Sequence, residues 1–275
     1  MIKTARFNIA PIQPPGFRSA SALGELSRLL QVSLHSLGYD CEVRPNDIRH
    51  DSVNIVLGYQ LLPLDTILGE YPVIIYQLEQ WTAANEQYRE HWLERLSLVR
   101  EVWDFSRENI AHLQQQGVRN VRYVPIGYHP AMTTIAPGVE DVDVLFYGTM
   151  TPRRRTLLHS LQRRCELGYM LDVFGARRDR ALARAKIVLN IHQSEGGLLE
   201  QVRISHLLNN RRFVISESSA DNPYEGMLVT APYDQLQETC LKYLADPNLR
   251  EAARIEGCQR FETMRMDRII MEALQ

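Results

Sequence analysis

The sequence has few cysteines and no long run of apolar residues. Its 275 residues include four cysteines, which form neither a Cys-x-x-Cys pair nor a Cys/His pattern with the spacing of metal ligands. This scatter predicts reduced thiols in a cytoplasmic protein, and no structural zinc. No window approaches the roughly 20 apolar residues that a membrane-spanning helix needs. We therefore expect a soluble protein whose membrane contact is at most peripheral.

The chain also has no large excess of positive or negative charge. Thirty-one basic and 33 acidic residues give a net charge of -2, so no overall positive field favours DNA or RNA, and nucleic acid is an unlikely partner. The glycine fingerprint Gly-x-Gly-x-x-Gly does not follow the first predicted strand, which argues against a Rossmann oxidoreductase. The hydrophobic content of 45% is enough for a sizeable core and for two domains of ordinary size.

Short β-branched runs alternate with helical patterns along most of the chain, which predicts α/β domains with parallel sheets. The first strand is expected at 7–12, and a helix begins near Ser19 or Ser21. Residues 125–141 interrupt the alternation with three prolines and two glycines, a composition typical of a linker. We predict an N-terminal Rossmann-like domain at 1–127, a linker at 128–141 and a C-terminal Rossmann-like domain at 142–275.

Some helices and strands are predicted with definite bounds. Near Trp81 a helical pattern begins that extends to Val99. In the second half, the pattern predicts a helix over 152–167, a strand over 171–174 and one long final helix from Asn248 to about Leu274.

The stretch 186–217 holds two short apolar runs separated by a glycine-broken loop and a helix. Runs of this kind are typical of parallel strands that are buried on both faces. Their polar residues gather where the strands end, and in a doubly wound sheet the carboxyl ends of the strands form the ligand-binding edge. The candidate ligand-binding residues at this edge are His192, Glu195, Gly196, Gly197, Glu200 and Glu217.

A basic helix start lies near the beginning of the second domain. Thr151 can cap the free amides of the helix, and Pro152 suits its first position. The arginines at 153–155 then oppose the helix dipole, which a bound phosphate would explain, whereas the alternative is a solvated basic face. We predict phosphate binding by Arg153 and Arg154 and a surface position for Arg155. Gly148 and Thr149, just before this turn, belong to the same candidate site.

Several candidates have a plain structural alternative. Glu200 and Arg203 are three residues apart and can form a surface ion pair, or Glu200 can accept hydrogen bonds from sugar hydroxyls. His192 and His206 are either ligand contacts or structural histidines. Glu217 is either a turn residue or a ligand contact. In the first domain, Gly16, Glu79 and Ser106 follow predicted strands and are candidates for contact with a substrate, although plain loop polarity explains each of them equally simply.

An acidic pair resembles the Asp-x-Asp of metal-dependent sugar transferases. Asp141 and Asp143, however, stand at the start of a predicted strand. They would therefore lie at the edge of the sheet opposite the ligand site, and we predict no metal there.

Four segments of the second half carry a resemblance to a known family; in order, they are VDVLFYGTMTPRRR, RDRALARAKIVLNIH, LEQVRISHLLNNRRFVISE and YDQLQETCLKYLADPNLREAARIEG. They resemble glycosyltransferases of the two-Rossmann (GT-B) architecture, in particular the group 1 type with a CgeB-like C-terminal domain. The first half is similar only loosely, through VWDFSRENIAHL and VRYVPIGYHP.

The resemblance implies two Rossmann-like domains facing each other across a cleft, with the C-terminal helix returning to the first domain. It implies a transferase that holds a nucleotide-sugar donor on its second domain and an acceptor on its first, needs no metal or other cofactor, and commonly retains the anomeric configuration. The arginines after Gly148 correspond to residues that meet the donor phosphates, and the loop from His192 to Gly197 corresponds to a segment near the donor sugar and diphosphate.

Two positions depart from the family. Related enzymes hold the nucleotide ribose with a helix glutamate where this chain has His206, and Arg211 replaces a usual glycine. Either Glu200 supplies the carboxylate or ribose recognition differs.

The catalytic candidates are Glu79, His192 and Glu200.

The acceptor is open: a glycan, a lipid-linked sugar, a protein, a small molecule or, as a variant, DNA. A noncatalytic nucleotide- or glycan-binding protein of the same fold is the alternative function.

Overall fold

A computed structural model describes residues 5–16, 22–63, 65–81 and 89–275, which form two compact α/β units. The first unit contains the chain up to residue 129 together with residues 265–275, and the second contains residues 130–264. The prediction of two α/β domains built on parallel sheets is confirmed, and so is the return of the C-terminal helix to the first of them.

The first unit is built on a parallel sheet in which the described strands follow the order β2-β1-β3-β4-β5-β6. The strands are β1 (Arg6–Pro11), β2 (Asp40–Val43), β3 (Val53–Leu57), β4 (Val73–Gln77), β5 (Glu101–Asp104) and β6 (Val121–Tyr123). The helices that precede the second unit are α1 (Leu23–Ser36), α2 (Arg89–Leu98) and α3 (Arg107–Gln115). The central strands are buried along nearly their whole length, as expected of a sheet covered on both faces.

The second unit repeats the same plan. Its strands follow the order β8-β7-β9-β10-β11, again with parallel pairing. They are β7 (Val142–Tyr147), β8 (Leu167–Met170), β9 (Ala185–Asn190), β10 (Val214–Glu217) and β11 (Val229–Ala231). The helices are α4 (Pro152–Leu161), α5 (Gly175–Leu182), α6 (Gln201–Asn209), α7 (Leu236–Ala245) and α8 (Pro247–Thr263), and α9 (Met266–Ala273) follows in the first unit.

The prediction of one long final helix is wrong. Helix α8 ends at Thr263, and Arg265 is extended before α9 begins. Arg265 pairs with Tyr128 as an isolated bridge, and the Met266 amide donates to the Tyr128 carbonyl at 2.9 Å. The sequence at the break has no proline or glycine to end a helix. The break instead goes with the packing of α9 against α1 of the first unit.

Two other bounds in the second unit are corrected. Helix α4 ends at Leu161 rather than 167, and the edge strand β8 occupies 167–170 rather than 171–174. The strand cannot lie over 171–174, because Asp172 has a positive φ of 51°. Pairing of Met170 with Tyr147 sets the register of β8 instead.

Parts of three sequence predictions fall outside the described residues. Ser19 and Ser21, at the expected start of the first helix, are among them, as are residues 17–19 of the loop expected over 12–19 after the first strand. So are residues 82–88 of the helix expected over 81–99. No helix in the described part of the chain has the length and apolar character that crossing a bilayer requires.

Each sheet has a point where the strand order reverses. In the second unit β7, the first strand, lies between β8 and β9, and in the first unit β1 lies between β2 and β3. Loops that leave adjacent strands in opposite directions open a crevice outside their carboxyl ends. Tyr147 and Asn190 end the two strands at the crevice of the second sheet.

The packing of α9 gives a stability prediction. Ile270 is fully buried, whereas Met271 beside it is 45% exposed. We expect Ile270→Ala to lower the free energy of unfolding by about 2–5 kcal/mol, through lost burial and a cavity. Met271→Ala should change it by less than about 0.5 kcal/mol. Urea unfolding measures both, and equal effects of the two changes would contradict the packing of α9 on the first unit.

Candidate functional site

The candidate site lies at the carboxyl ends of β7, β9 and β10. Phe146 pairs with Leu189, and Ser216 pairs with Asn190, so the residues that follow these pairs meet at one edge of the sheet. Tyr147, Asn190 and Glu217 are the last residues of their strands. The edge predicted from the apolar runs is therefore the edge that the register assembles.

Arg153 forms a forked ion pair with Glu217 at this edge. Its Nη1 donates to Glu217 Oε2 at 2.6 Å and its Nη2 donates to Oε1, and this bonding raises the pKa of Arg153. The guanidinium also lies 3.8 Å from the ring centroid of Tyr233, whose hydroxyl donates to the Arg153 carbonyl. Thr151 caps α4, as predicted, by accepting from the Arg154 amide at 3.3 Å. Arg153 is thus a permanently charged group held in one orientation, with its side chain 21% exposed.

Arg154 is buried and its donors are directed at main-chain carbonyls. Nε and Nη2 donate to the Ile191 carbonyl at 2.9 and 2.7 Å, and Nη1 donates to the Thr149 carbonyl at 2.8 Å. Burial, followed by the charge of Arg203, lowers its pKa to about 10. Arg154 therefore joins the segments that follow β7 and β9, whereas Arg155 is exposed, as the sequence predicted.

Glu200 lies directly before α6, as its N-cap residue. Its Oε2 accepts from Asn190 Nδ2 at 2.7 Å and from His192 Nδ1 at 3.1 Å, and its Oε1 accepts from Arg154 Nη2 at 3.2 Å. Burial raises the pKa of Glu200, but the bond from His192 and the charge of Arg203 outweigh it, so that the net shift is downward. Glu200 is a carboxylate with both oxygens bonded inside the protein.

His192 is buried beside this carboxylate. Its main-chain amide donates to Glu217 Oε2 at 3.0 Å, and its Nδ1 faces Glu200. Burial lowers the pKa of His192, but the hydrogen bond to Glu200 and the charges of both glutamates raise it by more. Gly197 lies against the ring, since a Cβ there would be 3.1 Å from His192 Cβ.

Gly148 and Arg203 make a close approach at the end of β7. Gly148 has φ of 134°, and a Cβ there would lie 2.6 Å from Arg203 Nη2. Arg203 Nη1 donates to Asn190 Oδ1 at 2.7 Å, and its guanidinium lies 5.0 Å from the Tyr147 ring centroid. Arg203 therefore points back over the sheet edge, and glycine at 148 makes room for it.

The loop that carries the two glycines leaves the sheet on its exposed side. Glu195 and Gly196 are exposed, as is Thr149 across the edge, and Gly196 has φ of 67°. A left-handed residue at this point suits glycine. These three exposed residues do not belong to the buried cluster.

His206 joins a second charged cluster, one turn along α6 from Arg203. Its Nε2 lies 3.2 Å from Asp179 Oδ1 and 2.9 Å from Arg178 Nη2. Arg178 also donates to Asp179 Oδ1, through Nη2 at 2.7 Å and Nε at 3.0 Å. At the position where the resemblance expects a carboxylate, the structure thus has a histidine beside the carboxylate of Asp179.

Sequence reasoning missed Asn190, Tyr233 and Asp179. Asn190 gave a usable signal, because it is a polar residue near the end of the apolar run of β9. Tyr233 lies just before α7, and Asp179 lies in α5. Only the tertiary fold brings these two residues to the site.

The three candidate residues of the first unit, Glu79, Ser106 and Gly16, have different surroundings. Glu79 follows β4, and its Oε1 accepts from Gln60 Nε2 at 2.6 Å while burial raises its pKa. Ser106 caps α3 by accepting a hydrogen bond from the Asn109 amide, so its observed role is structural. Gly16 is exposed with φ of 81°, in the loop after β1 at the crevice of the first sheet.

The acidic pair of the second unit is engaged at the opposite edge. Asp141 pairs with Arg184, and Asp143 pairs with Lys186. Both stand at the start of β7, as predicted. Within the described ranges, no group of three or more His, Cys, Asp or Glu side chains is arranged to hold a metal ion.

Relatives of this chain in sequence include two viral proteins. No protein-family model matches the chain. An uncharacterised protein of Acanthamoeba polyphaga mimivirus is 22% identical over 245 residues, which cover 84% of this chain and 78% of that protein. A second uncharacterised protein of the same virus is 24% identical over 147 residues, 49% of this chain and 17% of that protein.

Solved structures are more informative about architecture. The DNA-modifying enzyme β-glucosyltransferase superposes with a TM-score of 0.60 at 10% identity, over 96% of this chain and 97% of that one. TarM of S. aureus, in complex with UDP, gives 0.58 at 11% identity, over 80% of this chain and 54% of that one. The chain has the GT-B fold. The pneumococcal O-GlcNAc transferase GtfA, in complex with UDP and GlcNAc, gives 0.53 at 12% identity.

The shared length differs among these structures. The chain spans only about half of TarM and GtfA, 54% and 58% respectively, whereas it spans nearly all of the β-glucosyltransferase. Because the identities are low, the likeness concerns the fold alone.

The His192–Glu200 pair gives a pH prediction. The pKa of His192 is raised, so its contribution to stability is complete below about pH 6.5 and is lost as pH rises through the raised value. The pKa of Glu200 is lowered, so its contribution is complete above about pH 4.5. We expect a double-mutant cycle of His192→Gln and Glu200→Gln to give a coupling of about 1.5–3 kcal/mol at pH 5.5 and clearly less at pH 8.5.

The exposed pair Arg184–Asp141 provides the control, because neither partner titrates between these two pH values. Its coupling, from Arg184→Ala and Asp141→Ala, should be the same at both. A His192–Glu200 coupling that is small at both pH values would show that the histidine is uncharged in the folded protein, whereas one that is large at both would show that it stays charged up to pH 8.5.

Proposed function

We propose that the protein is a glycosyltransferase that takes its sugar from a nucleotide-sugar donor bound at the second sheet. The observation that supports this most directly is the group of three arginines, Arg153, Arg154 and Arg203, at the switch point of a GT-B fold. Three guanidinium groups against the two carboxylates of Glu200 and Glu217 leave an excess of one positive charge, before His192 is counted. A site with this charge favours a diphosphate.

The chemistry assigned to the site is stabilisation of the leaving group. As the bond from the sugar to the nucleoside diphosphate breaks, negative charge grows on the phosphate oxygens. Arg153 offers a partly exposed guanidinium at the N-terminal end of α4, where the helix dipole adds partial positive charge. Fixed donors of this kind stabilise developing charge without having to reorganise during the reaction. We propose that they do so without a metal ion.

The ion pair with Glu217 does not remove Arg153 from this role. Two of its N–H groups face the carboxylate, and the forked geometry leaves other donors of the same group for a phosphate. Glu217 and Tyr233 keep the guanidinium in place, so less conformational entropy is lost when the anion binds.

The remaining parts of the proposal concern the acceptor side. We propose that the first unit receives the acceptor, which is a glycan, a lipid-linked sugar, a protein or a small molecule, and that the enzyme acts in the cytoplasm with retention of the anomeric configuration. Glu79 is the proposed acceptor-side acid or base. Burial raises the pKa of Glu79, whereas the pKa of Glu200 is lowered.

One observation favours the alternative of a noncatalytic nucleotide-binding protein. Both oxygens of Glu200 and both of Glu217 are already bonded within the protein, so neither is available as a base. Incubation with a panel of nucleotide sugars separates the two functions. An enzyme releases nucleoside diphosphate, even slowly, whereas a binding protein gives saturable binding without release.

The arginine site gives a binding prediction. We expect Arg153→Ala to weaken the binding of a nucleoside diphosphate by about 10-fold or more, because a charge-assisted bond to phosphate is worth about 1.5–3 kcal/mol. Binding of the bare nucleoside should be unchanged. Arg155→Ala is the matched control, since Arg155 is the exposed arginine two residues later. Calorimetry with UDP, GDP, uridine and guanosine measures these affinities.

Removing Arg153 also leaves the carboxylate of Glu217 without its partner, and that charge would repel a phosphate. The double variant Arg153→Ala/Glu217→Gln removes this repulsion. If affinity returns to that of the wild type in the double variant, Arg153 only neutralises Glu217 and does not bind phosphate.

Glu79 gives a kinetic prediction. With water taking the place of the acceptor, we expect Glu79→Gln to slow hydrolysis of the nucleotide sugar by about 100-fold, the lower end of the range for general acid–base catalysis. Affinity for the nucleoside diphosphate should be unchanged. Glu70→Gln, at an exposed position of the same unit, should have no effect. Hydrolysis at the wild-type rate would remove Glu79 from the mechanism.

A further inference from the structure

The positive charge of the chain is concentrated in one stretch of the second unit. Of the 31 basic and 33 acidic residues, ten basic and three acidic ones lie within 152–186, so this stretch carries a net charge of +7 and the remainder of the chain carries -9. The small net charge of the whole chain therefore hides a large separation of charge. An asymmetry of this kind indicates contact with a negatively charged partner.

The arginines of this stretch fall into two groups. Arg153, Arg154 and Arg178 are bonded within the candidate site and the cluster beside it. Five others are exposed, and in the described part of the chain none of them forms an ion pair with a carboxylate. Because the protein leaves these charges without a partner of its own, they are available to another molecule. The five are Arg155, Arg163, Arg164, Arg177 and Arg180.

The helices near these arginines lie on opposite faces of the second sheet, one on either side of its edge strand β8. The chain passes from β7 through α4 to β8, and then from β8 through α5 to β9, which lies on the other side of β7. Since crossovers between parallel strands are right-handed, two crossovers in opposite directions place their helices on opposite faces. Arg155 belongs to α4, Arg163 and Arg164 follow it, and Arg177 and Arg180 belong to α5. Positive charge therefore flanks β8 on both faces.

The position of Arg155 on α4 brings it to the same edge. Ser160 Oγ donates to Gln237 Oε1 of α7, and α7 packs on β9 and β10, so Ser160 marks the side of α4 that faces away from β8. At 3.6 residues per turn, Arg155 lies about 140° round the helix from Ser160. Arg155 is therefore on the side of α4 nearer the edge strand.

Two apolar side chains are exposed between the two groups of arginines. Tyr169 of β8 is 57% exposed, and Leu171, just after the strand, is 44% exposed. Tyr169 pairs with Phe146, whose side chain lies in the core beneath α4, so Tyr169 projects to the α4 side of the sheet. Among the described strands, β8 has a partner only in β7, which leaves its outer edge uncovered. These two apolar residues and the five arginines form a surface that we call the β8 face.

A partner for the β8 face has to carry negative charge and to accept apolar side chains. A second copy of the chain would bring the same arginines together, and their repulsion disfavours it. A nucleic acid offers phosphates to the arginines, but its backbone has no apolar surface for Leu171. A bilayer with anionic lipids offers headgroup phosphates and an apolar layer beneath them.

We propose that the β8 face docks on the surface of an anionic lipid bilayer, with its arginines at the headgroup phosphates and with Tyr169 and Leu171 inserted into the interface. The binding is peripheral. It does not depend on the proposed sugar-donor site, because neither Arg153 nor a nucleotide takes part in it.

The experiment measures co-sedimentation of the full chain with vesicles, in the absence of nucleotide. One set of vesicles is phosphatidylcholine alone, and the other contains about 30% phosphatidylserine. The basic variant carries Arg163→Gln, Arg164→Gln, Arg177→Gln and Arg180→Gln. Its matched control changes four exposed arginines of the first unit to glutamine, with the same loss of charge; these are Arg28, Arg100, Arg119 and Arg268. A further variant, Tyr169→Ser/Leu171→Ser, removes the apolar side chains, and circular dichroism verifies that each protein is folded.

We expect the wild type to bind the anionic vesicles and not the neutral ones, and the binding to weaken as salt is added. Because one basic residue near such a surface contributes about 5-fold, the basic variant should lose about 100-fold or more in affinity, whereas the control variant should lose far less. Tyr169→Ser/Leu171→Ser should lose about 5–10-fold.

Four results would each overturn the inference. They are a wild type that does not bind the anionic vesicles, equal losses in the basic and control variants, an unchanged affinity of Tyr169→Ser/Leu171→Ser, and tighter binding to duplex DNA than to the vesicles at the same ionic strength. The last would assign the β8 face to a nucleic acid. Nucleotide binding through Arg153 is tested separately, so a failure of the proposed function leaves the vesicle result unaffected.

Discussion

The buried guanidinium of Arg154 is the interaction on which the candidate site depends. It bonds the Thr149 carbonyl after β7 and the Ile191 carbonyl after β9, the two strands on either side of the switch point. Carbonyls at the ends of strands have lost their neighbours in the sheet, and a buried one without a donor is costly. Arg154 satisfies both and so sets the distance between the two chain segments. Because Glu200 also bonds Arg154, the start of α6 takes its place from the same group.

The rest of the site follows from the need to pair charges that lie out of water. Arg154 at 2% exposure tolerates burial because carbonyls and Glu200 surround it, and Glu200 in turn is bonded by His192 and Asn190. Removing one partner from such a network leaves the others buried and unpaired, which costs more than the net worth of a single bond. The network therefore orients its members rigidly. Arg153 lies at its outer margin, with its side chain 21% exposed.

The sequence predicted the sheet edge and most of its polar residues, because those depend on local patterns. Short apolar runs ending in His192 and Glu217 indicate buried parallel strands, and Thr151 with Pro152 indicates a helix start. What could not be predicted depends on contacts between distant residues. Asp179 meets His206 across 27 positions of sequence, and Tyr233 meets Arg153 across 80. The break between α8 and α9 has no local signal, since packing on the first unit imposes it.

The direction of a side chain was likewise beyond sequence reasoning, and Arg203 shows why it matters. From spacing alone, Arg203 and Glu200 form a surface pair on a helix. In the structure, Glu200 precedes the helix, and Arg203 reaches Asn190 and the Tyr147 ring because Gly148 has no side chain to obstruct it. The glycine after β7, with its positive φ, thus leaves the space in which the guanidinium of Arg203, a residue of α6, lies.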